Sequence, residues 1–300
     1  MLQPPRRGAI LVGVDGSAAA LGAVRWAVHD AALRNVPLTL VHCVDAPVPG
    51  WFQATALAGL KQWQDERARE FINTAIKVAE ESTGECGPVQ IDSKVFSSAT
   101  VPTLVGLSKE VEMVVVGYRG HGGTVVRNFL GSVSSGLVYH AHCPVAVIHD
   151  DEPLVSDVAR APVLLGIDGS RASEAATAIA FYEASRRRVG LIALHAWTDL
   201  RVSDFREMFP NINWDAQLSE QEETLAERLA GWKERYPDVG ISRRIEIGEP
   251  AGGLIEASEL AQLIVVGSHG RGGFTGMLLG SVGAAVVNRA RIPVIVARQS

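Results

Sequence analysis

The chain has 300 residues, enough for about two domains. Its 47% hydrophobic and 20% charged content is that of a globular protein with ample core, and a net charge of −5 argues against the basic face of a general nucleic-acid binder. Cys43, Cys86 and Cys143 make no C-x-x-C pair, which argues against a disulfide framework or a zinc site and fits a reducing cytoplasm.

Residues 1–8 read as a tail. Arg6 and Arg7 precede an apolar run, but Asp15 interrupts it too early for the core of an export signal. No apolar stretch approaches the roughly 20 residues that span a bilayer, so neither a membrane nor a nucleic acid is expected as a partner. From residue 9 the chain is one unit written twice, about 150 residues apart, which fits two tandem domains rather than a solenoid. AILVGVDGS (9–17) returns as PVLLGIDGS (162–170), and LTLVHCVD returns as LIALHAWTD. The divisions are domain 1 over 9–150, a linker over 151–160 and domain 2 over 161–300.

Within each copy strands and helices alternate. A β-branched run (10–14; 163–167) ends in an Asp-Gly turn. Ser17 or Ser170 then caps a helix (19–35; 172–188). A second strand (37–44; 190–197) leads through a Trp-bearing stretch to a charged-faced helix (59–82; 218–236). A third strand (89–96; 239–247) and third helix (101–110; 252–261) feed an apolar fourth strand. A glycine loop and a fourth helix, opening at Ser132 or Ser281, precede the fifth strand (145–148; 294–297). This alternation predicts an α/β protein made of two tandem, doubly wound parallel-sheet domains of five strands each. The near-continuous apolar strands are what a sheet covered on both faces needs.

Ligands of such sheets bind outside the carboxyl ends of the strands. Gly13, Asp15, His42 and Gly117 fall at those ends in copy 1, as Gly166, Asp168, His195 and Gly267 do in copy 2. A strand, a glycine loop and a helix start can hold phosphate, because glycine lets backbone N–H groups approach an anion and the helix dipole favours it. Gly117, Gly120, Gly131 and Ser132 form that sequence once, and Gly267, Gly270, Gly280 and Ser281 form it again. Neither loop is a G-x-x-x-x-G-K-[ST] phosphate loop. The aspartates have two readings, a purely local turn or a carboxylate facing a ribose or a phosphate-bound metal. For His42 and His195 a packed, hydrogen-bonded role is favoured over catalysis. His140, His142 and Cys143 suggest a metal, but copy 2 has Arg289, Arg291 and Ile292 there, and cations suit a helix C-terminus. Arg271 reads as a solvated arginine, since copy 1 has His121 at its position.

The pattern G-x-x-G, nine residues, G-[ST] after an apolar strand resembles the ATP-binding motif of the universal stress protein family. The VDGS that ends strand 1, and HCV or HAW at the end of strand 2, resemble it too, and the likeness covers residues 9 to 298. The resemblance implies the strand order 3-2-1-4-5 and a bound adenine nucleotide, ATP with or without Mg2+. Asp15 and Asp168, with Gly13 and Gly166 in the same strand ends, would lie near ribose and phosphates. The backbone at Cys43 and Ala196 would meet adenine, and the two glycine loops would take the phosphates. Copy 1 has ten residues between its second and third glycines where copy 2 has nine, so its loop is expected to be re-aimed.

The family also pairs domains through strand 5, which implies pairing of the two domains within the chain and a homodimer. Complete loops without a lysine or arginine pair and a positioned base suggest a nucleotide-dependent regulator of stress response or growth rather than a fast enzyme. Two alternatives stay open: a slow ATPase or phosphotransferase using the same sites, and a dimerisation scaffold with one degenerate site.

Overall fold

The computed structural model describes residues 8–44, 54–120, 130–149, 158–196, 213–270 and 279–298. The chain divides into two compact units, Met1–Asp150 and Asp151–Ser300. In the first, β1 (Ile10–Gly13), α1 (Ala18–Arg34), β2 (Leu38–Cys43), α2 (Ala54–Cys86) and β3 (Ile91–Phe96) are followed by α3 (Thr100–Leu107), β4 (Met113–Gly117), α4 (Ser132–His140) and β5 (Val145–Ile148). In the second, β6 (Val163–Gly166), α5 (Arg171–Arg187), β7 (Leu191–Ala196), α6 (Trp214–Arg235) and β8 (Ile241–Glu246) lead to α7 (Pro250–Ala257), β9 (Leu263–Gly267), α8 (Ser281–Arg289) and β10 (Val294–Ala297).

All strand pairs within a unit are parallel. The order is β3-β2-β1-β4-β5 in domain 1 and β8-β7-β6-β9-β10 in domain 2. Chain direction across the sheet reverses between β1 and β4, and between β6 and β9. The first strand therefore sends its neighbours to opposite sides and leaves a crevice at its carboxyl end.

The central strands of each sheet are buried. Ile10, Leu11 and Val12 are fully buried and lie against Val114 and Val115, equally buried, on β4. Ala23, Ala27 and Ala31 on α1 are also fully buried, and their small side chains let the helix lie close to the sheet. The Ser17 hydroxyl accepts from the Ala20 N–H at 3.1 Å, and Asn35 closes the helix at φ 55. In α5, Ser170 accepts from Ser173 at 3.2 Å and Arg188 takes the closing position at φ 54.

Several helix bounds differ from the sequence reading, and those of α2 and α7 have a local reason. α2 begins at Ala54 and runs through Gly59, which no neighbour crowds. It also continues past Ser82, whose hydroxyl donates to the Val78 carbonyl at 2.8 Å and so stays compatible with the helix. The helix stops before Gly87 at φ 105. α7 starts at Pro250, a residue suited to a first turn, and passes into a 3₁₀ turn over Ser258–Leu260.

Candidate functional site

The site grows from the turn after β1. Asp15 Oδ1 accepts from the Ser17 N–H at 3.0 Å, a local turn bond that holds the carboxylate upright beside the capped start of α1. Its Oδ2 lies against the Cα of Gly120, where any Cβ would collide with it. Domain 2 repeats the arrangement: Asp168 Oδ1 accepts from the Ser170 N–H at 2.9 Å, and a Cβ on Gly270 would stand 2.7 Å from Asp168 Oδ2. The local turn expected of each aspartate is present in both domains. One oxygen shapes the turn, and the other faces the glycine loop.

Glycine is forced at the exit of the fourth strand. A Cβ on Gly117 would lie 2.6 Å from the Ala19 carbonyl carbon, and one on Gly267 would lie 2.8 Å from that of Ala172. The loop then folds back to the next helix. The Gly131 N–H donates to the Tyr118 carbonyl at 3.0 Å, and the Gly280 N–H to the Ser268 carbonyl at 2.6 Å. α1 and α5 have serine caps, but no side chain caps α4 or α8, which begin on Gly131 and Gly280. First-turn N–H groups left without a capping acceptor are the ones an anion can take.

In domain 1 these pieces surround one cavity. Gly13, Asp15 and Cys43 line it from the β1 and β2 ends; Gly117, Gly120, Gly131 and Ser132 line it from the loop and the α4 start. Its far wall was not evident in the sequence: Thr100 and Leu104 come from α3, and Arg119 comes from inside the loop. Arg119 brings a cation to a place where the sequence reading found no evident pair of basic residues. Its guanidinium lies 5.1 Å from the Tyr118 ring centre, and Tyr118 stacks on His149 at 4.6 Å. Ser134, two residues into α4, donates its hydroxyl to the Gly117 carbonyl at 2.7 Å and ties the helix to the strand.

The histidines have a structural task. His42 Nδ1–H donates to the Val14 carbonyl at 2.7 Å, and His195 Nδ1–H to the Ile167 carbonyl at 2.7 Å. A carbonyl can only accept, so the proton is on Nδ1 in each ring. Each bond ties the end of the second strand to the residue before the aspartate. His140, His142 and Cys143 do not converge: His140 and His142 are exposed while Cys143 is buried, and no group of three or more potential metal ligands occurs among the described residues.

The second helix contributes differently in the two domains. On α2 the exposed Trp63 and the half-buried Arg67 and Phe71 follow at four-residue spacing, with the Arg67 guanidinium 5.5 Å from the Trp63 ring centre and 5.0 Å from that of Phe71. Phe71 meets His42 edge-on at 5.4 Å and covers Gly16, whose φ of 82 and lack of Cβ both require glycine. On α6 the Arg228 guanidinium covers Gly169 instead.

Domain 2 has the same frame with other side chains. Gly166 and Ala196 end β6 and β7, and a Cβ on Gly166 would be 3.0 Å from Leu254 Cδ1. Ser268 is buried and shares a hydrogen bond of 2.9 Å with His269 Nδ1, at the positions that Tyr118 and Arg119 hold in domain 1. Burial, with a smaller contribution from Arg298, holds the His269 pKa below its ordinary value. His121 and Arg271, and the places where the two loops differ in length, lie outside the described residues.

The model of the Universal stress protein family matches residues 7–149 and again residues 160–298. The chain belongs to the universal stress protein family. A universal stress protein of Mycobacterium tuberculosis is 53% identical over 291 residues, covering 97% of this chain and 96% of its own. Another, from Mycobacterium bovis, is 51% identical over 300 residues and covers both chains completely. A universal stress protein crystal structure from Archaeoglobus fulgidus shares the fold over 97% of this chain and 98% of its own, with a TM-score of 0.70 at 19% identity. The universal stress protein repeat is thus present twice, and each copy carries its own strand-end aspartate and glycine loop.

Proposed function

We propose that each domain binds one adenine nucleotide, ATP, at the carboxyl ends of its strands, and that the bound nucleotide sets the protein's conformation and association rather than being rapidly consumed. One observation carries this reading. The start of α4, which no side chain caps, and the Asp15 carboxylate line the same cavity, and Asp15 reaches a loop glycine that has no room for a Cβ. N–H groups supply the anion-binding end, and the backbone at Cys43 supplies a base-binding end. The cradle suits a phosphate chain: glycines at 117 and 120 admit a close backbone, and Ser132 adds a hydroxyl. In domain 2, Gly267, Gly270, Gly280, Ser281, Asp168 and Ala196 would serve the same parts. If Mg2+ accompanies the phosphates, the carboxylate oxygens of Asp15 and Asp168 that face the loops are the groups to hold it.

Regulation rather than turnover is favoured because, among the described residues, no general base is placed beside the loops together with a pair of cations, and phosphoryl transfer needs charge stabilisation as well as a cradle. The regulatory output belongs to stress response or growth, in a cytoplasmic protein whose domains pair through their fifth strands and whose chains form a homodimer. Equilibrium dialysis at millimolar ATP is expected to give two nucleotides per chain. No bound adenine nucleotide at that concentration would overturn the reading, and loop-dependent hydrolysis of many equivalents per chain would favour an enzyme.

A further inference from the structure

The domain 1 cavity has a direction along the sheet edge. Its strands lie in the order β2-β1-β4-β5, with neighbours about 4.8 Å apart. Cys43 lines the cavity at the end of β2, Asp15 just past β1 and Gly117 at the end of β4. Arg119 lines it two residues beyond Gly117, where the chain leans towards β5: the Tyr118 N–H donates to the Ile148 carbonyl at 2.7 Å, and the Tyr118 ring stacks on the buried His149. Two strand spacings, about 10 Å, separate β2 from β4. Cys43 and Arg119 therefore line opposite ends.

Arg119 is half-buried, and it is the one lysine or arginine among the described residues that line the cavity. Two contacts hold it there. A Cβ on Gly131 would lie 3.4 Å from the Arg119 Cα, so its backbone passes against the start of α4, which no side chain caps. Its guanidinium lies 5.1 Å from the Tyr118 ring centre, and an aromatic face attracts and orients that planar cation. A full positive charge is thus added to a helix end that already favours an anion. Arg119 occupies one of the two unspecified positions of the G-x-x-G motif, so the motif assigns it no role. The second copy has His269 at that position, with a pKa held below its ordinary value chiefly by burial and next by Arg298, and so carries no fixed charge there at neutral pH.

We propose that Arg119 reads phosphate number in domain 1: with the base at the β2 end, the first phosphate meets the glycine loop and the guanidinium takes the terminal phosphates, which only the longer chain of ATP brings that far. Domain 1 then selects ATP over AMP through one side chain. The inference rests on the nucleotide-binding reading above and adds to it which end of the ligand is read, and by which residue.

The test titrates ATP and AMP calorimetrically into the full chain carrying Gly270→Val, which closes domain 2 and leaves domain 1 as the reporting site. Arg119→Met keeps the length of the side chain and removes its charge. It is expected to weaken ATP by roughly tenfold or more, the scale of a lost hydrogen bond to a charged group, and AMP by less than about threefold. Arg119→Lys, which keeps the charge, is expected to lose less ATP affinity than Arg119→Met. Added salt should weaken ATP more when Arg119 is present than in Arg119→Met. Equal losses for ATP and AMP, an ATP affinity unchanged by Arg119→Met, or a lysine variant no better than the methionine one would each overturn the assignment. If domain 1 with its native Arg119 binds neither nucleotide, the broader reading fails as well, and that outcome is distinct from loss of phosphate selectivity alone.

Discussion

At Gly117 and Gly267 a single methyl group decides between a fit and a clash, because the opposing atoms are backbone. Gly117→Ala would place a Cβ 2.6 Å from the Ala19 carbonyl carbon, and Gly267→Ala one 2.8 Å from that of Ala172. Each is expected to destabilise its domain by about 1–3 kcal/mol, as overpacking does, measured by urea denaturation. Gly120→Val and Gly270→Val press on a carboxylate instead, so they should weaken nucleotide binding in their own domain with little effect on folding. Glu246 adds a pH signature. Its folded pKa is raised, chiefly by burial and next by Glu256, so the unfolded chain gives up that proton more readily. Stability is therefore lost as pH rises through the carboxyl range. Glu246→Gln is expected to stabilise the ligand-free protein at pH 7 and to make no difference once the pH falls below the ordinary carboxyl pKa; thermal melts of both proteins across that range would show it.

At the scale of the element, what could be read in advance follows what is local. Strands four and five and the starts of α4 and α8 fall where apolar runs and Gly-Ser pairs put them, because each signal is complete within a few residues. The limits of α2 were harder to read, since Gly59 and Ser82 look like boundaries but neither breaks the helix. The same division separates the parts of the site. Asp15 and the loop glycines stand out by motif, whereas Thr100 and Leu104 reach the cavity only through tertiary packing that no spacing encodes. Phe71 and Arg228 reach their turns from helices that look merely amphipathic. Helix ends offer a further check. Arg188 closes α5 at φ 54, a conformation costly for a residue with a Cβ. Arg188→Gly is expected to stabilise domain 2 by about 0.5–1 kcal/mol, measured by denaturant midpoint.

Over the whole molecule, the sequence repeat turns one strand-end arrangement into two sites with a shared frame and different walls. Both domains tie the second strand to the first through a histidine and set an aspartate against a loop glycine. Arg119 lines the domain 1 cavity and Phe71 covers the turn at Gly16, while in domain 2 His269 holds the position of Arg119 and Arg228 covers Gly169. A shared frame predicts equal stoichiometry. The central claim is that each half holds its own nucleotide. Native mass spectrometry of the intact chain with millimolar ATP tests it most directly. Two added nucleotides per chain are expected, falling to one in Gly120→Val, one in Gly270→Val and none in the double variant. A chain whose mass is unchanged by ATP, or whose bound nucleotides persist in the double variant, would contradict the account.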